Sequence, residues 1–201
     1  HVYRYGVYVE EGIAIDRGEV ASTVEGVLGD ERGWTRGGGV SFRRVERNQD
    51  MRIILATPDE VDELCKPLET NGKVSCRQGQ DVVLNVDRWR HAFPGWTSTT
   101  ENYRRMLINH ETGHRIGRGH EACAHPGATA AVMQQQTFDL QGCKANWWPL
   151  DYEVDPSRFR IAWGAIPLSS VIRGRTLRRP RTSRPRCACP WSLDPPAGPS
   201  G

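Results

Sequence analysis

No run of eighteen apolar residues occurs anywhere in this 201-residue chain, so no segment has the length and apolarity of a membrane-spanning helix. The apolar core of a signal peptide is missing too, and the first residue is His1 rather than Met. Together these read as a processed protein or an excised domain, whose leader or anchor lies outside the chain. None of the six cysteines stands in a C-x-x-C pair, which argues against cysteine-based metal knuckles. The run Gly37-Gly38-Gly39 lacks the Lys-Ser/Thr and the preceding strand of a phosphate loop, and reads as a turn.

A chain of this length suits one domain with a real core. The formal charge of +3 conceals a split: positions 1 to 156 hold 18 Lys+Arg against 23 Asp+Glu (−5), and positions 157 to 201 hold 9 against 1 (+8). Seven prolines from Pro167 onward and seven arginines between Arg173 and Arg186 are a composition that cannot bury a core. The organisation expected is therefore a folded domain over 1–155 and a basic, disordered Pro/Arg-rich tail over 156–201. The tail is read as solvated, with no nucleic-acid partner, and Cys187 and Cys189 stand too close together for a structural bridge.

Positions 2 to 9 alternate with β-branched and aromatic residues and predict a first strand. Asp16 is placed to cap a helix carrying Val20, Val24, Val27 and Leu28 and ending near Gly29. Further strands are predicted over Val40 to Val45, Met51 to Ala56 and Asp81 to Val86, with a short one between Gly72 and Cys76 and a helical turn from Asp59 to Leu64. Ser98-Thr99-Thr100-Glu101 has the form of a capping box opening the next helix, whose stripe is Tyr103, Leu107, His110 and His114. The adjacent Trp147 and Trp148 are expected to close a small core, and Tyr152 is the nearest downstream phenol.

That helix ends in the stretch with the strongest signal, His110-Glu111-Thr112-Gly113-His114-Arg115-Ile116-Gly117-Arg118-Gly119-His120. Four-residue spacing puts His110 and His114 on one helical face, roughly 6 Å apart. His120 lies about 240° further round and reaches them only if the chain leaves the helix and turns back, for which Gly117 can supply a left-handed residue. Three imidazoles suit a divalent cation with one position left for solvent, and Glu111 lies beside such an ion as a base. Chance would produce the five fixed positions H-E-x-x-H-x-x-G-x-x-H in a chain this long with a probability of roughly 10⁻⁵.

The motif, with Met133 thirteen residues beyond His120, resembles the metzincin zinc endopeptidases. The longer string from Asn109 through Cys123, Met133-Gln134-Gln135-Gln136 and Gln141-Gly142-Cys143 is similar to an uncharacterised actinobacterial domain family of metzincin-like character. The resemblance implies an α+β fold of the metzincin-like zincin type. Such a fold has a twisted mixed β-sheet with two main helices (N-terminal subdomain about 1–117) above a small, mostly irregular C-terminal subdomain (about 118–155) carrying a Met-turn at Met133. It implies Zn²⁺ held by His110, His114 and His120, and peptide-bond hydrolysis through a zinc-bound water activated by Glu111. It also implies that the short strand before Cys76 is the edge against which a peptide or protein substrate lies. Glu121 follows the third histidine as in astacins, but Gln135 stands where astacins carry a metal-approaching tyrosine, so no tyrosine ligand is carried over.

Cysteine spacing favours the pairs Cys65–Cys76 and Cys123–Cys143, which suit an extracytoplasmic, secreted or cell-surface protein, expected to be monomeric. The competing reading is a non-catalytic extracytoplasmic zinc-binding domain with a structural metal, its fourth ligand coming from Cys123 or His125.

Overall fold

The computed structural model describes residues 1–158; the tail discussed above falls almost wholly outside them. Five strands, β1 (Val2–Val9), β2 (Ser41–Arg44), β3 (Met51–Ala56), β4 (Cys76–Gln78) and β5 (Asp81–Asn85), form one sheet in the order β2-β1-β3-β5-β4. The pairings are parallel except β4–β5, so the sheet is mixed and its one antiparallel strand sits at an edge.

Strand periodicity divides the core in two. Ile53, Leu55, Val82 and Leu84 point to the main cluster, while Ala56 and Val83, with Val61 of helix α2 (Pro58–Leu64), build a smaller one on the opposite face. Helix α1 (Arg17–Gly29) packs on β1 and β2, and α4 (Thr100–Arg115) packs on β5 and β4. The two long helices also touch each other, so they share one face of the sheet. Asp16 caps α1 as expected, accepting the Glu19 N–H at 2.9 Å.

Three local expectations need correction. The strand predicted to reach Val86 stops at Asn85, because the Asn85 side chain accepts the N–H groups of Asp87 and Arg88 and opens a short helix, α3 (Val86–His91). The edge strand begins at Cys76 rather than before it. Asp62 accepts the Gly72 N–H at 2.8 Å and the Thr70 hydroxyl, which ties residues 70–72 to α2 as a loop. Helix α4 is capped by Thr99, which accepts the Asn102 N–H, while Ser98 accepts instead from the Asn102 amide and Glu101 pairs with Arg105. Tyr152 is exposed on the short helix α5 (Asp151–Val154), away from the cleft described below.

Past α4 the chain is largely irregular up to α5, with bridges at Glu121–Gln134 and Thr129–Lys144. Trp147 and Trp148 pack against the main core. Both expected disulfides are formed, Cys65–Cys76 and Cys123–Cys143. Among the described residues no helix is long and apolar enough to cross a membrane. The architecture is α+β, with a five-stranded mixed sheet beneath two long helices, consistent with a zincin-like fold.

Candidate metal centre

Helix α4 delivers His110 and His114 from its last turn and a half. Gly117 then takes φ 93°, and the Arg118 N–H closes onto the Gly113 carbonyl at 2.8 Å, so the chain reverses and brings His120 back. The Nε2 atom of His114 lies 3.2 Å from that of His110 and 3.0 Å from that of His120. The ligand atoms of this trio all fall within 4.8 Å of one another.

Three ring nitrogens at this separation cannot all be satisfied by bonding one another. Two of them have their tautomer set from outside: His110 Nδ1 meets the Val132 carbonyl at 2.8 Å and His114 Nδ1 meets the Arg118 carbonyl at 3.0 Å. If both Nδ1 atoms carry the proton and donate it, both Nε2 lone pairs face the common centre. A tetrahedral ion with about 2.0–2.1 Å bonds to imidazole would hold its ligand nitrogens about 3.3 Å apart, close to the spacing seen. The donor set therefore fits a divalent metal ion.

Electrostatics agree. Burial, with the neighbouring His114 as the next cause, lowers the His110 pKa to about 3; burial also lowers that of His114 to about 4, and that of His120 in direction. The three rings are therefore neutral at neutral pH, the form that could bind a metal. Glu111 is 5% exposed, and burial raises its carboxyl to about 8, with the charge of Arg77 on β4 pulling the other way. Both Glu111 and Arg77 line a cleft of about 290 Å³ together with the three histidines. The rim also carries Leu68 and Phe138, two of the large apolar side chains left exposed among the described residues.

Met133 is 1% exposed and lies against α4 at Gly113. A Cβ placed on Gly113 would stand 2.3 Å from the Met133 sulfur and 2.8 Å from the Trp34 ring, so only glycine lets the helix sit this close to both. Trp34 belongs to a short 3₁₀ turn (Trp34–Gly37) and donates its indole N–H to the Asn109 carbonyl at 2.9 Å. Gln134 and Gln136 are buried and hold the loop through the carbonyls of Leu140 and Asn146, while Gln135 faces the cleft. Sequence reasoning missed Gly113, Trp34 and the buried Glu153. Only Gly113 left a signal, as a glycine inside an otherwise regular helix.

The two groups named as a possible fourth ligand are elsewhere engaged: Cys123 is bonded to Cys143, and His125 lies outside the trio with its Nδ1 at 3.2 Å from the Pro126 carbonyl.

A family profile described as a protein of unknown function, DUF3152, matches residues 1–156. The chain belongs to the DUF3152 family. No curated protein sequence matches it. Among solved structures, this DUF3152 chain is similar to myroilysin at 17% identity and a TM-score of 0.37, over 79% of this chain and 57% of the other. The chain thus spans little more than half of that protein's length, and a likeness this loose assigns no activity.

Proposed function

We propose that this DUF3152 chain is a zinc-dependent metallopeptidase of metzincin type that hydrolyses peptide bonds, with His110, His114 and His120 holding Zn²⁺. One observation carries the reading: three Nε2 atoms converge on a point bordered by a buried carboxylate and open to a cleft. Zinc bound there supplies Lewis acidity, which polarises a peptide carbonyl and makes water acidic near neutral pH. Glu111 takes the proton from the attacking water and returns it to the leaving amine, a task suited by a carboxyl raised toward neutrality. The substrate chain lies extended along β4, whose outer edge pairs with no strand among the described residues, β5 occupying its inner one. Arg77, on that strand, adds a positive charge to the same wall.

Two disulfides favour an extracytoplasmic site of action. The structural-metal reading loses ground with the bonding of Cys123 to Cys143. The test is digestion of a proteome-derived peptide library by zinc-loaded protein, beside Glu111→Gln. The parent is expected to cleave and the variant to keep its metal while losing cleavage. A variant as fast as the parent would remove Glu111 from its role.

A further inference from the structure

Among the described residues past His120, Glu153 is the one carboxylate that the cleft does not use and the core nevertheless swallows: it is 2% exposed and lies on α5. Its Oε2 accepts the N–H groups of Val132 at 3.0 Å and Leu150 at 2.8 Å, and its Oε1 accepts that of Met133 at 2.9 Å. Burial pushes this carboxyl up, and the three N–H donors draw it back.

The Met133 N–H and the Val132 carbonyl are the two ends of one peptide group. On one end sits Glu153; on the other, His110 Nδ1 at 2.8 Å. A carboxylate accepting from the N–H end polarises the group and makes its carbonyl a stronger acceptor, so the two hydrogen bonds reinforce each other. The stronger that carbonyl, the more firmly the His110 proton stays on Nδ1 and the more electron density remains at Nε2. His110 is the most buried of the three ligands, so its orientation depends on such internal partners rather than on solvent.

We propose that Glu153 is a positioning residue for the metal centre: acting through the Val132–Met133 peptide, it fixes His110 in the Nδ1–H tautomer and strengthens Nε2 as a ligand. The inference rests on the metal-site reading above and extends it to a residue 43 positions beyond His110 in the chain. Glu153 touches neither substrate nor ion.

The experiment uses the full chain and two readouts. Zinc affinity is measured by chelator competition for the parent, Glu153→Gln, Glu153→Asp and Leu55→Ala. Leu55 is buried in the sheet and makes none of the hydrogen bonds of this relay, so its loss makes a cavity in the shared core and controls for destabilisation alone. Glu153→Gln is expected to weaken zinc binding about 10–100-fold, the range for an outer partner of a ligating histidine. Glu153→Asp, which keeps the charge, recovers part of that, and Leu55→Ala melts earlier but binds zinc as the parent does.

The second readout is the ¹⁵N spectrum of the imidazoles in the metal-free protein. His110 is expected as a single Nδ1–H tautomer in the parent and as a mixture in Glu153→Gln. Zinc binding in Glu153→Gln within twofold of the parent, or a loss in Leu55→Ala as large, overturns the proposal. Should Glu153→Gln fail to fold, the parent spectrum decides alone, because a protonated Nε2 or a tautomer mixture in His110 overturns it as well. A parent with the expected tautomer but no affinity for zinc would instead sink the metal reading and leave the Glu153–His110 link standing.

Discussion

Replacing Glu111 by Gln is expected to change the pH dependence of folding in a calculable way, independent of catalysis. In the metal-free protein the Glu111 carboxyl is raised from 4.5 to about 8 by burial. A carboxyl with a raised folded pKa contributes stability that is full at low pH and is lost as pH climbs from the unfolded value toward the folded one. The histidines act with the opposite sign. Their depressed folded values mean that stability is present above 6.5 and falls away as pH drops from 6.5 toward about 4 for His114 and about 3 for His110.

Because the histidines are common to both proteins, the window between pH 6.5 and 8 isolates Glu111 in the difference between the parent and Glu111→Gln. It spans 1.5 pH units, which at 1.36 kcal/mol per unit makes a loss of about 1.5–2 kcal/mol in the parent. For a domain of this size that is a fall in melting temperature of about 3–8 °C. Glu111→Gln has no such group, so the fall is expected in the parent relative to the variant across the window. Chelator-treated protein, followed by circular dichroism during heating in constant salt, gives the comparison. Adding Zn²⁺ should flatten the parent too, since a cation beside the carboxylate favours its ionised form. Parallel curves for the metal-free parent and variant would refute the reasoning, because Glu111 would then ionise as an ordinary solvated carboxylate.

Other expectations follow from the same geometry. Replacing His114 by Ala removes the ring whose Nε2 approaches both others; bound metal should vanish by elemental analysis while the far-ultraviolet spectrum of the fold remains. Gly113→Ala gains helix propensity worth about 1 kcal/mol but drives a methyl into Met133 and Trp34, both 1% exposed. The net is expected as a loss of about 1–2 kcal/mol in thermal unfolding, with weaker metal retention, and a variant more stable than the parent would contradict the packing described. Changing Cys123 and Cys143 together to Ser opens a loop of separation 20 and should cost about 2–4 kcal/mol in denaturant unfolding. An unchanged midpoint would mean that the loop is held by its Gln134 and Gln136 hydrogen bonds alone.

Much of this was legible in the chain because it is local. The three ligands and Glu111 lie within eleven residues, and four-residue spacing on a helix followed by one left-handed glycine suffices to gather them. The strand around Val7 announced itself by β-branched alternation, those around Ile53 and Val83 by short continuous apolar runs, and α1 by Asp16 and its valine stripe. Helix α3 was hidden because Val86 continues the apolar run of β5, and only the side chain of Asn85 decides that the chain turns helical there. Glu153 gave no sign, since a glutamate in a short polar helix looks like any solvated one until chain closure buries it against Val132 and Met133. The loop before β4 was likewise set by a side chain outside it, that of Asp62 on α2, and nothing in the residue pattern between them shows that it accepts the Gly72 N–H.

The three ligands also differ in depth: His110 is buried, His114 is partly covered and His120 is exposed. On the proposed metal reading, an ion arriving from solvent would meet His120 first and pass inward to a pair already braced by the helix. A small chelator would then enter by the mouth that the proposed peptide substrate uses, so each should slow the other.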